Sequence, residues 1–183
     1  MKRKTAKEIL AESFRELAET KNIDKITVKD ITENCGYSPA TFYRHFSDKY
    51  DLIAWNHALG IADIMNRADD IDYPWKQTTF DVAVYYFEQK EYLENLILHT
   101  EGYDSFVRYM TDINYEALKG FIIRTGGKDV IDDITDMYIR IYCLGTVSLT
   151  CEWILGKYEV TPEEMAEVYE KSLPEPLKKY VID

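Results

Sequence analysis

The segment from residue 38 to residue 45 combines small side chains with hydrogen-bond donors, and this combination suits contact with a nucleic acid. Ala40 and Thr41 would let a helix approach base edges closely, and their methyl groups can touch the methyl of thymine. Tyr43 and His45 can donate hydrogen bonds to phosphate oxygens, and Arg44 can bind either a phosphate or a base. Together with a basic arm at residues 1–4 and nearby polar residues, the candidates for DNA contact are Lys4, Thr27, Ser38, Pro39, Ala40, Thr41, Tyr43, Arg44, His45 and Lys49.

Two short helices and a tight turn are predicted to present this segment. Thr27 and Asp30 form a capping box, in which the threonine oxygen accepts from a backbone N–H and the carboxylate reaches back to the Thr27 amide, so a helix begins at Val28. Gly36 can adopt the left-handed conformation that ends a helix, and the pair Ser38-Pro39 supplies the N-cap and first-turn residue of the next one. The spacing therefore predicts a helix-turn-helix, whose second helix lies in the major groove of DNA.

Apolar residues at helical spacing predict how this motif is held in a three-helix head. Phe42 and Phe46 are four residues apart and face the core, which leaves the polar side chains of the second helix outside. A first helix, from about Arg3 to Glu19, packs through Ala6, Leu10, Phe14, Leu17 and Ala18. A fourth helix, from Asp48 to about Arg67, joins the head to the rest of the chain, and we expect it to transmit signals between them.

Residues 27–52 contain four short motifs in succession. They are Thr-Val-x-x-Ile from Thr27, Gly-x-Ser from Gly36, Thr-Phe-Tyr-x-His-Phe from Thr41 and Ser-x-Lys from Ser47. This run resembles the DNA-binding domain of the TetR-like one-component transcriptional regulators. The resemblance implies an all-α fold, with a helix-turn-helix DNA-binding domain over residues 1–48 and a helical effector-binding and dimerisation domain over residues 49–183. The chain departs from the residues usual in the family at four packing positions, which are Thr32, Cys35, Tyr37 and Tyr50.

The side-chain sets that enzymes use are poorly represented. The chain of 183 residues has three widely separated histidines, and it lacks a glycine-rich phosphate loop, a nucleophile elbow and a Cys/His set at metal spacing. Most carboxylates lie on the polar faces of predicted helices. We therefore expect a protein that is not an enzyme, with no catalytic residues, no cofactor and no metal site.

Charge is unevenly distributed along the chain. The first fifty residues hold ten Lys and Arg against eight Asp and Glu, a net charge of +2, whereas the rest hold 12 against 25, a net charge of −13. A strongly acidic surface repels a phosphate backbone, so the first fifty residues, with their net positive charge, are the candidate contact surface. Chance combined with a solvated helix face is the alternative explanation.

Cysteine usage and hydropathy favour a cytoplasmic protein without membrane association. Three cysteines are too few for a disulfide framework. Cys143 and Cys151 are eight residues apart on one predicted helix, so about 12 Å separates their backbones and a bridge between them is excluded. All three are expected to be small buried hydrophobic residues. We expect no secretory signal, because residues 5–20 read as an amphipathic helix, and no transmembrane segment, because no apolar run approaches that length.

The remaining chain has helical periodicity and no convincing strand pattern. Acidic residues and Pro74 predict a loop over residues 69–74, and a calcium site there is disfavoured because the loop lacks the glycine and terminal glutamate of an EF-hand. Thr78 and Asp81 predict a capping box that opens a helix to about Gln89. Further helices are predicted over residues 92–99, 103–123, 128–157 and 161–173, the last opened by Thr161-Pro162-Glu163-Glu164.

The helix predicted over residues 128–157 is the most apolar of these, and it carries a stripe with small residues at its centre, formed by Ile134, Tyr138, Ile141, Gly145, Ser148, Glu152 and Leu155. In TetR-like proteins the last two long helices usually form a four-helix dimer interface. The resemblance therefore implies a homodimer interface that contains Ile141, Gly145, Ser148, Glu152, Leu155, Met165 and Tyr169. Two heads held about 34 Å apart would bind a pseudo-palindromic operator. An ordinary intramolecular core is the alternative role for these helices.

Aromatic side chains are frequent beyond residue 80, and aromatics with a few polar groups are typical of small-molecule pockets, although core packing explains them equally well. Arg140 lies in the most apolar helix and is the first candidate for a buried polar anchor, with a surface or interface salt bridge as its alternative role. The candidate effector-binding residues are Tyr86, His99, Phe106, Tyr109, Arg140 and Tyr142.

Residues 86–92, 102–106, 153–156 and 161–164 are also similar to a subgroup that includes regulators of dihydroxyacetone kinase operons. Some members of that subgroup activate transcription with a protein coactivator, so an unknown small molecule and a protein coactivator both stay open as partners beside the DNA operator. The competing interpretation is a helical scaffold or protein-interaction module that retains a non-functional helix-turn-helix. Such a scaffold would show no salt-dependent affinity for DNA.

Overall fold

A computed structural model describes residues 4–68, 73–100 and 105–181 of the chain. Over these ranges the fold is all-α, as predicted, with no strand. The helices are α1 (Ala6–Ala18), α2 (Val28–Cys35), α3 (Pro39–Tyr43), α4 (Lys49–Arg67), α5 (Trp75–Glu88), α6 (Lys90–Leu98), α7 (Phe106–Gly126), α8 (Asp133–Ile154), α9 (Pro162–Lys171) and α10 (Glu175–Lys178), with 3₁₀ turns at Ile23–Lys25 and Lys128–Val130.

The head consists of α1 to α3 and closes around an apolar core. Its fully or almost fully buried members are Leu10, Phe14, Ile23, Ile26, Ile31, Phe42, Phe46 and Leu52. One buried polar link ties α1 to α2, because the Ser13 hydroxyl donates to the carbonyl of Ile31 at 2.7 Å. The predicted packing face of the first helix is confirmed at Leu10, Phe14 and Ala18.

Helix α4 continues from the head into a C-terminal bundle. It packs against α1, α5 and α7, while α5 packs against α9 and α7 against α8. Because α4 belongs to both cores, the domain boundary between residues 48 and 49 stays a prediction. No helix in the described ranges is both long and apolar enough to cross a membrane.

One predicted helix start is wrong and another is confirmed. Helix α5 already begins at Trp75, so Thr78 lies inside it, where its buried hydroxyl donates to the carbonyl of Pro74 at 3.4 Å. Asp81 caps nothing and instead pairs with Arg67 at 2.6 Å. The capping box at Thr161 is present as predicted. The predicted acidic loop falls largely on residues 69–72, which lie outside the described residues.

The cysteines are free thiols. Cys143 and Cys151 are buried, as predicted, and burial raises the pKa of Cys151 to about 11. Cys35 is only half-buried, and its thiol donates to the carbonyl of Ile31 at 3.2 Å.

Candidate DNA-binding surface, dimer face and cavity

Both ends of α2 have the predicted capping chemistry. The Thr27 hydroxyl oxygen accepts from the Asp30 N–H at 3.1 Å, and the Asp30 carboxylate accepts from the Thr27 N–H at 2.8 Å. Hydrogen bonds from the Thr27 amide and hydroxyl lower the pKa of Asp30 to about 2. At the other end Gly36 has a φ of 72°, and the Tyr37 N–H reaches back to the carbonyl of Thr32 at 2.9 Å. The turn geometry is therefore fixed by a residue that tolerates the left-handed region.

Helix α3 is held from beneath by two phenylalanines. Phe42 is fully buried and Phe46 is 2% exposed, and their ring centroids lie 5.7 Å apart. Ser38 caps the helix, since its hydroxyl oxygen accepts from the Thr41 N–H at 3.2 Å. Because α3 is anchored on one side, its opposite side is presented to solvent with a fixed orientation.

That outer side holds the predicted contact residues. Ser38, Pro39, Ala40, Tyr43 and Arg44 are exposed, and Thr41 and His45 are half-buried at its margin. Tyr43 exposes 60% of its surface. An aromatic side chain that is so exposed is a candidate for contact with a binding partner. Arg44 donates to the Thr41 hydroxyl at 3.3 Å, and that hydroxyl lies 3.1 Å from the Ser38 hydroxyl. The outer surface of α3 is thus a compact group of donors and acceptors above an apolar base.

The basic arm is described from Lys4 onward. Lys4 is exposed and its ammonium group lies 2.6 Å from the carboxylate of Glu12, so a phosphate would have to compete with that ion pair. Exposed ion pairs of this kind are weak, typically below about 1 kcal/mol. A phosphate contact by Lys4 therefore stays a prediction, and residues 1–3 lie outside the described residues.

The structure gives Lys49 a different role from the predicted phosphate contact. Its ammonium group donates to the carbonyls of Ile23, Asp24 and Ile26, at 2.8, 3.3 and 2.9 Å. Lys49 is half-buried, and this burial lowers its pKa. The Ile23 carbonyl also accepts from the Ile26 N–H at 3.2 Å, so the ammonium group adds to the hydrogen bonds of the turn. Lys49 therefore ties α4 to the head, and the predicted phosphate contact is not supported.

We expect Lys49→Met to lower the free energy of unfolding by about 1 to 3 kcal/mol, the range for losing hydrogen bonds to a charged group. Chemical denaturation measures this change. Lys29→Met is the matched control, because Lys29 is exposed and its ion pair among the described residues is a long one, at 3.6 Å to Glu33. Unchanged stability of Lys49→Met, together with a shallower salt dependence of DNA binding, would restore the phosphate role.

A broad apolar face of α8 is exposed. Ile141 exposes 66% of its surface, Ile134 59% and Leu155 43%, and Gly145 and Ser148 are exposed between them. Tyr138 is exposed to 36%, and Glu152, which pairs with Lys157 at 2.8 Å, is half-buried. Two further exposed apolar residues on this face, Met137 and Leu144, were missed, although their spacing of three residues from Ile134 and Ile141 would have revealed them. The whole face, called here the α8 face, consists of Ile134, Met137, Tyr138, Ile141, Leu144, Gly145, Ser148 and Leu155.

Two residues predicted for the dimer interface belong to the core instead. Met165 is 2% exposed and Tyr169 is 3% exposed, because this side of α9 packs against α5. The Tyr169 hydroxyl also hydrogen-bonds to the buried Thr150 hydroxyl. The outward side of α9 is mostly charged and includes Val168, which is 46% exposed. The assignment of Met165 and Tyr169 to the interface is therefore wrong for direct contact.

A cavity of about 70 Å³ lies in the C-terminal bundle, between α4, α5, α7, α8 and α9. Its wall is mostly apolar and includes Ile61, Met65, Val82 and Leu118, and the described residues that line it include no charged side chain. Polar groups come from hydroxyls and from Asn114, whose amide donates to the Tyr86 hydroxyl at 2.9 Å. The indole N–H of Trp75, another wall residue, is buried and has no hydrogen-bond partner among the described residues.

Of the predicted effector-binding residues, two line the cavity and the others do not. Tyr86 and Tyr142 line the cavity, and the Tyr142 hydroxyl donates to the carbonyl of Tyr169 at 2.8 Å. Phe106 is buried nearby, edge-on to the His57 ring at 5.3 Å, but it does not line the cavity, and neither does the half-buried Tyr109.

His99 and Arg140 lie elsewhere. The His99 Nδ1 atom is 3.8 Å from the Asp24 carboxylate, at the junction with the head. Arg140 is a surface residue with 54% of its side chain exposed, placed over the Tyr115 ring at 4.2 Å and 3.7 Å from Asp136. The interpretation of Arg140 as a buried anchor is therefore wrong, because the apolar helix that carries it exposes one whole side.

The fold and the anchored, exposed α3 define a helix-turn-helix protein. A family model described as bacterial regulatory proteins, tetR family, matches residues 9–54, and a model described as transcriptional regulator C-terminal region matches residues 75–174. The chain belongs to the TetR family, and it is a transcriptional regulator rather than an enzyme.

Individual relatives agree with this assignment. The HTH-type dhaKLM operon transcriptional activator DhaS of Lactococcus lactis subsp. lactis (strain IL1403) is 22% identical over 98 residues, which is 54% of this chain and only about half, 52%, of that relative. A solved structure of the dihydroxyacetone kinase operon activator DhaS has a TM-score of 0.65 at 18% identity and covers 96% of this chain and 97% of its own. The Thermus thermophilus repressor FadR, in complex with lauroyl-CoA, has a TM-score of 0.61 at 14% identity, with 91% and 92% covered. At these identities the structural matches show the fold.

Proposed function

We propose that this regulator acts in the cytoplasm as a homodimer that binds a pseudo-palindromic operator through the outer side of α3 in each subunit. The observation that carries the proposal is the exposed group of Ser38, Thr41, Tyr43 and Arg44 above a buried pair of phenylalanines. A helix held rigidly from one side can place its first turn in a major groove, where small side chains allow close approach. The donors at its end suit phosphates.

The α8 face supports the homodimer. Apolar surface of this extent, concentrated on one helix and broken by small residues at Gly145 and Ser148, is typical of a helix–helix interface. Beyond its two chain neighbours and the backbone of its own helix, a Cβ atom at Gly145 would meet no described atom within 4 Å, so the space above this glycine is open for a second copy. Two copies paired through α8 would present two heads, and paired heads read two half-sites about one helical turn apart.

Selection of double-stranded DNA from a random pool by the purified full chain tests this proposal. We expect the enriched sequences to contain two inverted half-sites, and we expect their affinity to fall steeply as salt rises, because binding to phosphates releases counterions. The scaffold interpretation gives the opposite result, with no enrichment and no salt-dependent affinity.

The cavity supports regulation by a small molecule. At about 70 Å³ it is roughly half the size of an engineered cavity of about 150 Å³ that binds benzene, so a ligand that fits it unchanged has only a few heavy atoms. A charged ligand is disfavoured because none of the described residues that line the wall carries a charge to offset the cost of its burial. The unpartnered Trp75 N–H favours a ligand with a hydrogen-bond acceptor. We therefore propose a small, neutral effector, which would bias the head position through the shared helix α4.

A further inference from the structure

Helix α6 presents one side to the head, and this side is called here the head-facing stripe. It consists of residues at helical spacing, namely Gln89, Tyr92, Asn95 and His99. The Gln89 side-chain oxygen accepts from the Arg15 guanidinium at 2.6 Å, and that guanidinium lies over the Tyr92 ring at 4.7 Å. The stripe therefore meets α1 and the 3₁₀ turn after it mainly through polar contacts.

Asn95 is the centre of this junction. Its Nδ2 group donates to the carbonyls of Ala18 and Lys21, each at 2.9 Å, and its Oδ1 atom accepts from the Ile23 N–H at 3.1 Å. Three hydrogen bonds thus join one side chain to a segment more than seventy residues away in sequence. The three backbone groups lie where α1 ends and the 3₁₀ turn begins, at which point a helix leaves carbonyls without intrahelical donors.

The other side of α6 is apolar and belongs to the C-terminal bundle. Leu93 and Leu96 are each 1% exposed, and α6 packs against α8. One short helix therefore contacts the bundle through apolar surface and the head through directional bonds. Apolar packing tolerates small rotations, whereas an amide that makes three bonds at once accepts only a narrow range of angles.

We propose that Asn95 is a positioning residue for DNA recognition, whose amide fixes the angle between the head and the C-terminal bundle. This inference rests on the proposed function, because the angle of each head sets the separation of the two α3 helices in the homodimer. A shift of the head would place one α3 out of register with its half-site, while leaving each α3 surface intact.

The substitution Asn95→Asp tests this role with almost no change in shape. A carboxylate oxygen would face the carbonyl oxygens of Ala18 and Lys21 and repel them, while the acceptor for the Ile23 N–H would be kept. We expect the dissociation constant for the selected operator to rise about tenfold, within the range of couplings between sites, whereas affinity for unrelated DNA should change little. Hydrogen–deuterium exchange should become faster in residues 18–25 and stay unchanged in α7 and α8.

Glu91→Gln is the matched control, because it exchanges a carboxylate for an amide at an exposed position of the same helix. It should leave both operator affinity and exchange at wild-type values. Asn95→Ala is the second variant, used if Asn95→Asp does not fold, and it should accelerate exchange in residues 18–25 and weaken operator binding in the same direction.

Operator affinity and exchange that both stay at wild-type values in the folded Asn95 variants would overturn the positioning role. A wild-type chain that bound no DNA would instead refute the proposed function, and the exchange measurement would still decide whether Asn95 holds the head. The two failures are therefore distinguishable.

Discussion

Replacing Gly145 by glutamate should convert the protein into monomers and raise the dissociation constant for its operator at least a hundredfold. In a symmetric dimer the substitution places two like charges in the centre of the α8 face, and an unpaired buried charge costs about 3 to 5 kcal/mol. The folded monomer should be unaffected, because a Cβ at Gly145 meets no described atom within 4 Å beyond its chain neighbours and its own helix backbone, and glutamate favours a helix more than glycine does. Sedimentation velocity should show a particle near the chain mass of 21.5 kDa.

The control for this experiment is Leu98→Glu, which adds the same charge at an apolar residue that is 58% exposed on α6 and is not part of the α8 face. That variant should sediment and bind DNA as the wild type does. If Gly145→Glu still sedimented at twice the chain mass, the dimer would have to form through another surface.

Replacing Tyr43 by alanine should weaken binding to every DNA sequence about tenfold or more, because a hydrogen bond to a charged phosphate is lost. The side chain is 60% exposed and contacts the buried Phe42 edge-on at 5.5 Å, so its removal should leave the fold intact. Fluorescence anisotropy with operator and unrelated DNA, at several salt concentrations, measures the effect. Because tyrosine is neutral, the salt dependence should keep its slope.

Tyr43→Phe separates the hydroxyl from the ring, and we expect most of the loss to appear already in that variant. Tyr158→Phe, which removes a hydroxyl from a residue that is 39% exposed in the C-terminal part, should bind as the wild type does. Wild-type affinity in Tyr43→Ala would mean that α3 does not approach DNA with this side.

Local patterns predicted the head well, because its chemistry is local. The capping box of Thr27 and Asp30, the left-handed Gly36 and the N-cap at Ser38 each involve residues within five positions of one another. Such contacts can be recognised from spacing alone. The same reasoning failed at Thr78 and Asp81. The helix already begins after Pro74, one turn before the predicted N-cap at Thr78.

Contacts between distant residues were not predictable in this way. A lysine beside a helix-turn-helix is a natural candidate for a phosphate contact. Only the fold shows that the ammonium group of Lys49 donates to carbonyls more than twenty residues away. The junction formed by Asn95 joins segments separated by more than seventy residues. Spacing on α6 places Asn95 in line with Gln89 and His99, but it does not say which part of the chain they meet.

The second source of error was the partner that covers each side of a helix. Periodicity shows that Met165 and Tyr169 share one side of α9, and both dimer contact and core packing suit that side. The structure assigns it to the core, because α5 covers it. For Arg140 the opposite holds, because its place on the most apolar helix suggested a buried anchor, whereas the structure gives it the alternative role, a surface ion pair with Asp136.

The most direct test of the paired-head account is the affinity of the full chain for its selected operator after five base pairs are inserted between the half-sites. About ten base pairs make one helical turn, so this insertion moves one half-site to the opposite side of the duplex. If two heads are held in register by the α8 face, affinity should fall at least a hundredfold, to the level of a single half-site. Unchanged affinity would show that the heads bind independently and would contradict the account.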